Sequence, residues 1–216
     1  MTSMIGLQEL TRADVVYREI KRRITELQYR PGDKLSEARI AIELGVGRSP
    51  IRTAFSRLQS EGWIEVSPQS GSFVKGLNAT EIAEILETRL VLESHLAGLA
   101  AERISDAELR RLRAAFAAFG DHVTSQSLEE YFDLDLMFHL AVYQAAGNAL
   151  ISRILINLID KVRWIRRASA ESPTRFQAAL VEIQVVFRAL EARDAKAASA
   201  AMHVHIENAM KFRHLK

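Results

Sequence analysis

"GVGRSPIRTAFSRLQSEGW", residues 45–63, puts an apolar stripe and two arginines on one short helix. Ile51, Phe55 and Leu58 recur at four- and three-residue steps, the period of a helix that buries one face. Ser49 is the expected N-cap and Pro50 the expected first helical residue, a position where a missing N–H costs nothing. Arg48, Ser49, Arg52 and Thr53 then gather at the leading end, opposite the stripe. There two guanidinium groups add to the partial positive charge of a helix N-terminus, which suits a phosphate backbone or a guanine edge. The competing reading is a solvated face on an ordinary helix, and spacing alone does not choose between them.

The flanks decide the fold. "LQELTRADVVYREIKRRITELQY" carries Leu10, Val16, Ile20, Ile24 and Leu27 at helical spacing, and "RPGDKL" ends it. Ser36 caps a second short helix, "EARIAIEL", which Gly45 closes. After the 45–63 helix, "WIEV" and "SFVK" around "SPQSG" read as two strands and a turn. Helix, helix, tight turn, helix and hairpin is the order of a winged helix-turn-helix, expected over residues 1–75. "GLNAT", 76–80, reads as a linker. Beyond it, 81–216 is expected to be an all-α antiparallel bundle. Its helices are predicted at 80–102, 106–120, 128–146, 149–168, 173–191 and 195–213, making the chain mainly α. Ser105 with Glu108 and Ser127 with Glu130 fit capping boxes, and Asp194 fits an N-cap. Gly147-Asn148 and Ser172-Pro173 punctuate two joins.

Composition sets the class. The 216 residues are 48% hydrophobic and 26% charged, enough to bury a core and too apolar to stay disordered. No apolar run approaches the roughly 18 residues of a bilayer span, and "MTSMIGLQEL" shows no secretory signal. Absence of cysteine excludes disulfides and thiolate metal sites and fits a reducing cytoplasm, the expected location. The net charge of +2 is unevenly spread: residues 1–76 hold 12 Lys+Arg against 9 Asp+Glu. All six histidines (His95, His122, His139, His203, His205 and His214) fall in the second part, so the two parts differ in chemistry.

The stretch "YREIKRRITELQYRPGDKLSEARIAIELGVGRSPIRTAFSRLQSEGWIEVSPQSGSFV" resembles the DNA-binding domain of the GntR family of bacterial transcription regulators, through "PGDKLSE", "LGVGRSPIR", "RLQSEGW" and "GSFV". The resemblance implies DNA contact by Arg48, Ser49 and Arg52 and, at the wing tip, by Gly71. Two departures stand out. The arginine that commonly follows the glutamate of the second helix is displaced: Glu37 is followed by Ala38, and Arg39 is the candidate for that contact. Gly47 stands where serine is usual, which removes a cap or a phosphate contact.

"ETRLVLESHLAGLAAERIS", "YFDLDLMFHLAVYQAAGN" and "ALEARDAKAASAAMHVHI" resemble the FCD effector domain of the FadR-like branch of that family. That implies an acid-binding cavity, in many members around a divalent metal. Asp135 and His139, at i and i+4, share a helix face, and His205 on the last helix is placed to approach them. By the resemblance all three fall on metal-ligand positions. The usual fourth ligand falls on Ile183, which cannot coordinate. Two readings therefore stay open: an open three-ligand site for zinc, manganese or nickel, and a metal-free pocket in which the two histidines hydrogen-bond. His203 is read as exposed, and His95, His122 and His214 as structural or surface groups.

For an effector carboxylate, Arg89 matches the family's "R-x-x-L-E" arginine, against a simple pair with Glu93 at i+4. Asn157 and Trp164, on a stripe with Leu150, Ile154 and Lys161, are candidate cavity-lining residues, with core packing the alternative for Trp164. Arg163, Arg166 and Arg167 read as a solvated basic face. The function these features point to is a homodimeric repressor that binds a palindromic double-stranded operator and is controlled by a small carboxylate, with no membrane partner. Two rivals are an all-helical metal enzyme using Asp135 and His139, and an effector-independent DNA binder. The first lacks a second carboxylate–histidine pair and a phosphate loop. The second is disfavoured by the small net charge and the large neutral bundle.

Overall fold

The computed structural model describes residues 10–76, 78–168 and 173–211. Two compact units divide between Leu77 and Asn78.

In the first unit, α1 (Arg12–Thr25) opens on a capping box between Thr11 and Asp14, and buries Val16, Ile20 and Ile24 completely. α2 (Glu37–Leu44) is capped by Ser36 and closed by Gly45 at φ +63°, the left-handed geometry that glycine takes without strain. α3 (Arg48–Ser60) follows, with Ile51, Ala54, Phe55 and Leu58 buried. It packs against α1, and each large apolar side chain so buried is worth about 1.5–3 kcal/mol. The start of α3 differs from the sequence expectation. Gly47, extended at ψ 175°, is the N-cap, and no side chain caps the helix. Pro50 becomes the third helical residue, a position where an N–H would have no intrahelical partner, so its missing donor costs nothing.

The wing is a three-stranded antiparallel sheet in the order β1-β3-β2. β2 (Ile64–Ser67) and β3 (Gly71–Val74) form the expected hairpin, with Ile64 opposite Val74 and Ser67 opposite Gly71. β1 (Lys34–Leu35) pairs with Phe73 and Ser72 of β3. Two residues carry no alternation, so the sequence offered no strand signal there.

In the second unit, six helices are described: α4 (Ala79–Arg103), α5 (Asp106–Phe119), α6 (Leu128–Ala146), α7 (Ala149–Ala168), α8 (Pro173–Glu191) and α9 (Ala195–Lys211). Ser172, one of the expected punctuation residues, and His214 lie outside the described residues. α4 begins inside the expected linker, on a capping box between Asn78 and Glu81. It packs mainly along α9 and α6, and α8 packs on α9. Leu96, Ala97, Phe138, Val142, Leu180 and Ile206 are among the residues that fill the space between them. Ser105 caps α5 and Asp194 accepts from the Ala197 N–H. The capping box expected at Ser127 does not form. Its hydroxyl accepts from the Thr124 N–H instead, and its backbone is not extended as an N-cap's is.

Candidate functional site

On the first unit, Arg48, Ser49, Arg52 and Thr53 are all exposed at the leading end of α3 while the stripe behind them is buried. Arg48 makes no ion pair among the described residues, and Arg52 reaches only Glu37, at 3.9 Å with both groups open to solvent. Two guanidinium groups are thus held by the helix and left uncommitted. Arg39 is exposed but leans on Glu43 at 3.0 Å. Gly71, at φ +108°, starts β3 beyond the wing turn, and a Cβ there would meet the Lys34 side chain at 3.1 Å. An L side chain is strained at such an angle, so the tight turn needs this glycine.

The second unit has a polar layer in its interior. Asp135 and His139 project from α6 and His205 from α9, and one donor atom from each lies within 4.8 Å of the others. All three are buried. Each histidine is turned by a carboxylate on another helix. Nδ1 of His139 lies 2.6 Å from Glu93 Oε2 of α4, and Nδ1 of His205 lies 2.9 Å from Glu182 Oε2 of α8. Glu182 is in turn held by Arg175 at 3.2 Å and by the Asn208 amide at 2.8 Å. The Nε2 atoms of both histidines are buried with no hydrogen-bond partner among the described residues. Nε2 of His139 sits 3.7 Å from Asp135 Oδ1.

Two nitrogen lone pairs and a carboxylate oxygen converging in a buried space, with a carboxylate beside each far nitrogen, fit a divalent cation such as zinc, manganese or nickel. Ile183 is completely buried and offers no atom that coordinates, so an ion held by Asp135, His139 and His205 would have three protein ligands.

Electrostatics keep the buried carboxylates ionised. Burial works to raise the Asp135 pKa, but the Arg166 guanidinium beside it holds its carboxyl well below the usual carboxylate range. Glu93 behaves likewise: burial is outweighed by Arg89, whose Nε is 2.5 Å from Glu93 Oε1, and by His139. For His205, burial pushes the imidazole pKa down, against the hydrogen bond to Glu182. Its neutral form, the one that coordinates, is therefore favoured.

A cleft opens onto this layer. Its polar wall presents Arg89, Arg163, Arg166 and Arg167 around Asp135 and His139, and its apolar wall includes Phe132, Leu155, Ile159 and Val162. Arg166 is paired with Asp135, Arg167 with Glu129, and Arg89 with Glu93. Arg163 makes no ion pair among the described residues. A concave site with apolar walls and an excess of guanidinium groups is suited to a small organic anion.

Several expectations change here. Arg163, Arg166 and Arg167 are not a solvated face: they line the cleft, and the Arg166 and Arg167 side chains are only 14% and 12% exposed. Asn157 is exposed and does not line the cleft, and Trp164 is buried but also absent from its wall. α7 turns Leu155, Ile159, Val162 and Arg166 inward, so residue 157, two positions on from Leu155, faces away. The stripe through Leu150 and Ile154 is likewise exposed. Arg89 does line the cleft, and it also makes the Glu93 pair that was its alternative. His95, His122 and His203 are exposed.

Glu182 was not singled out from sequence. Its signal was an isolated acid in the apolar run "ALVEIQVVF" of α8.

The model of the bacterial regulatory proteins of the gntR family matches residues 12–74, and that of the FCD domain matches 84–208. The chain belongs to the GntR family. As a GntR protein with an FCD effector-binding domain, it is a DNA-binding transcription regulator and not an enzyme.

It is 28% identical over 195 residues to the HTH-type transcriptional repressor RspR of Escherichia coli K12, covering 89% of this chain and 84% of that one. It is 29% identical over 202 residues to the HTH-type transcriptional regulator LutR of Bacillus subtilis 168, covering 84% and 91%. Among solved structures, a GntR-type regulator from Rhodococcus sp. RHA1 superposes with a TM-score of 0.76 at 23% identity, covering 94% of this chain and 97% of that one. E. coli McbR/YncC superposes with a TM-score of 0.73 at 18% identity, covering the same shares. These two likenesses speak to the GntR fold alone. Among the described residues no helix is long and apolar enough to cross a membrane.

Proposed function

We propose that this regulator is a cytoplasmic homodimeric repressor that binds a palindromic operator and releases it when a small carboxylate enters the α6–α7 cleft. The observation that carries the ligand class is the excess of guanidinium over carboxylate in that wall, with Arg163 uncompensated. Arg163 and Arg89 are the proposed carboxylate anchors. Asp135, His139 and His205 are the proposed ligands of a divalent ion, whose contribution when bound is a fixed positive charge with an open position at the cleft floor. Arg48, Ser49, Arg52 and Thr53 are the proposed operator contacts, with Arg39 and the Gly71 turn flanking them. The repressor RspR, similar over most of its length, supports repression as the sense of control.

Dimerisation is supported by a general argument: one recognition helix reads only a few base pairs, and two related by a two-fold axis read half-sites about one helical turn apart or a multiple of it. The test is fluorescence anisotropy on DNA from upstream of the protein's own gene, with a scrambled duplex as control and a panel of mono- and dicarboxylates as competitors. Sequence-dependent binding by a dimer, reversed by at least one carboxylate, is the expected result. Equal binding to both duplexes, or a monomer of 24.3 kDa on the operator in sedimentation, overturns the reading.

A further inference from the structure

Asp135 is asked to do two things. Its Oδ1 faces the imidazole Nε2 of His139 at 3.7 Å, where a divalent ion would sit, while its Oδ2 is bound by the Arg166 guanidinium from α7. Asp135 is 3% exposed, so water does little to screen this pair. The carboxylate is therefore already neutralised by one cation before a second is considered. A divalent ion at Asp135 either displaces Arg166 or accepts a positive charge in direct contact with its own ligand. Both weaken the metal.

Arg166 also lines the cleft, one helical turn beyond Arg163 on the same face of α7. A guanidinium released from Asp135 has an anion site beside it.

We infer that Arg166 is an exchangeable counter-ion linking the two ligands of this cleft. Metal binding moves it off Asp135, and an organic anion holds it, with Arg163, in the position it then takes. The inference rests on the proposed metal-and-carboxylate reading of the site. Coupling of this kind is reciprocal: the anion tightens the metal by the same factor as the metal tightens the anion. Two neighbouring guanidinium groups also favour an anion with two charged ends, so a dicarboxylate gains more from the metal than a monocarboxylate of equal length.

The experiment is calorimetric titration of the full-length protein with Mn²⁺ alone, then with Mn²⁺ at saturating succinate or saturating butyrate. Arg166→Gln keeps an N–H for Asp135 and removes the charge; Arg166→Lys keeps the charge and removes the fork. We expect R166Q to bind Mn²⁺ about 10-fold more tightly than wild type, because it removes a competing positive charge from the carboxylate ligand. R166K should stay within about threefold of wild type, because it retains the competing charge. Succinate should tighten Mn²⁺ severalfold in wild type, more than butyrate does, and this enhancement should vanish in R166Q. Thermal melts with and without Mn²⁺ give a second reading of the same order, with the larger metal-induced rise in R166Q.

Equal Mn²⁺ affinity in wild type and R166Q overturns the inference, as does succinate enhancement that survives in R166Q, which would assign the coupling to direct contact between succinate and the metal. Either result leaves carboxylate-driven operator release standing. Failure of Mn²⁺ to bind wild type and both variants overturns the inference together with the metal reading, and the anisotropy assay tells that case apart.

Discussion

Glu182 of α8 holds the Nδ1 of His205 on α9 at 2.9 Å, so the other ring nitrogen points toward Asp135 and His139. A carboxylate in that place accepts the Nδ1–H, fixes the tautomer and makes Nε2 the better donor. Glu182→Gln removes the charge and leaves the amide free to donate instead, which favours the wrong tautomer. The expected outcome is a loss of about tenfold in zinc or manganese affinity, with helicity unchanged by circular dichroism. Competition against a chromophoric chelator measures it. Unchanged affinity would mean that Glu182 serves its contacts with Arg175 and Asn208 and not the metal site.

Ile183 follows Glu182 and is completely buried. Ile183→His adds a third imidazole, as a fourth ligand, at the cost of apolar packing and a buried polar ring. Without metal the variant should be less stable by about 1–3 kcal/mol, the penalty of an unsatisfied buried donor. With zinc the penalty should be recovered and metal affinity should exceed that of wild type. Melting curves with and without zinc show both effects. A variant that is destabilised and gains nothing from zinc would show that position 183 does not face the ligands.

Arg52 is exposed, and its Glu37 contact at 3.9 Å does not tie it down. Arg52→Ala should weaken operator binding and relax base preference by about 1–3 kcal/mol at one position of each half-site. Binding to a set of single-base operator variants measures this. An equal loss on operator and random DNA would reduce Arg52 to a phosphate contact, and the slope of affinity with salt would then fall.

Glu19 on α1 is shared by Arg22 at 2.8 Å and Arg23 at 2.7 Å, and hydrogen bonding to Arg22 leads in lowering its pKa to about 2. The folded value lies below the ordinary 4.5, so the contribution is present above pH 4.5 and is lost as pH falls through about 2. The Arg22 partner is nearly half exposed, so screening leaves about 1 kcal/mol of stability. Glu19→Gln should cost that much at pH 7 and progressively less toward pH 3. Urea unfolding followed by Trp63 fluorescence in a Trp164→Phe background isolates the first unit. A constant difference across the pH range would refute the assignment.

Local signals were legible where one residue suffices to make them. Ser36, Ser105 and Asp194 cap helices as their side chains allow, and Gly45 takes the left-handed turn. Asp135 and His139 were legible because i, i+4 spacing puts them on one face whatever surrounds them. Arg166 and Glu182 were not, because their roles depend on which neighbours the bundle brings to them. An arginine three positions from another on an amphipathic helix reads as solvated until the face it shares is known. Asn157 was not legible for the same reason: its stripe on α7 is exposed at Leu150 and Ile154, although Trp164 at the far end is buried. Ser127 shows the limit of the capping pattern, since Thr124 offers a nearer donor to the same hydroxyl.

The polar layer draws on five of the six described helices of its unit: Glu93 from α4, Asp135 and His139 from α6, Arg166 from α7, Glu182 from α8 and His205 from α9. Interlocked methyl groups permit one helix to slip along another by small steps, because dispersion forces have little directional preference. Ion pairs and imidazole hydrogen bonds do not, since a displacement of an ångström breaks them. The layer therefore acts as a register pin through the bundle. A slip of one helix along its neighbours would have to break several of these pairings at once.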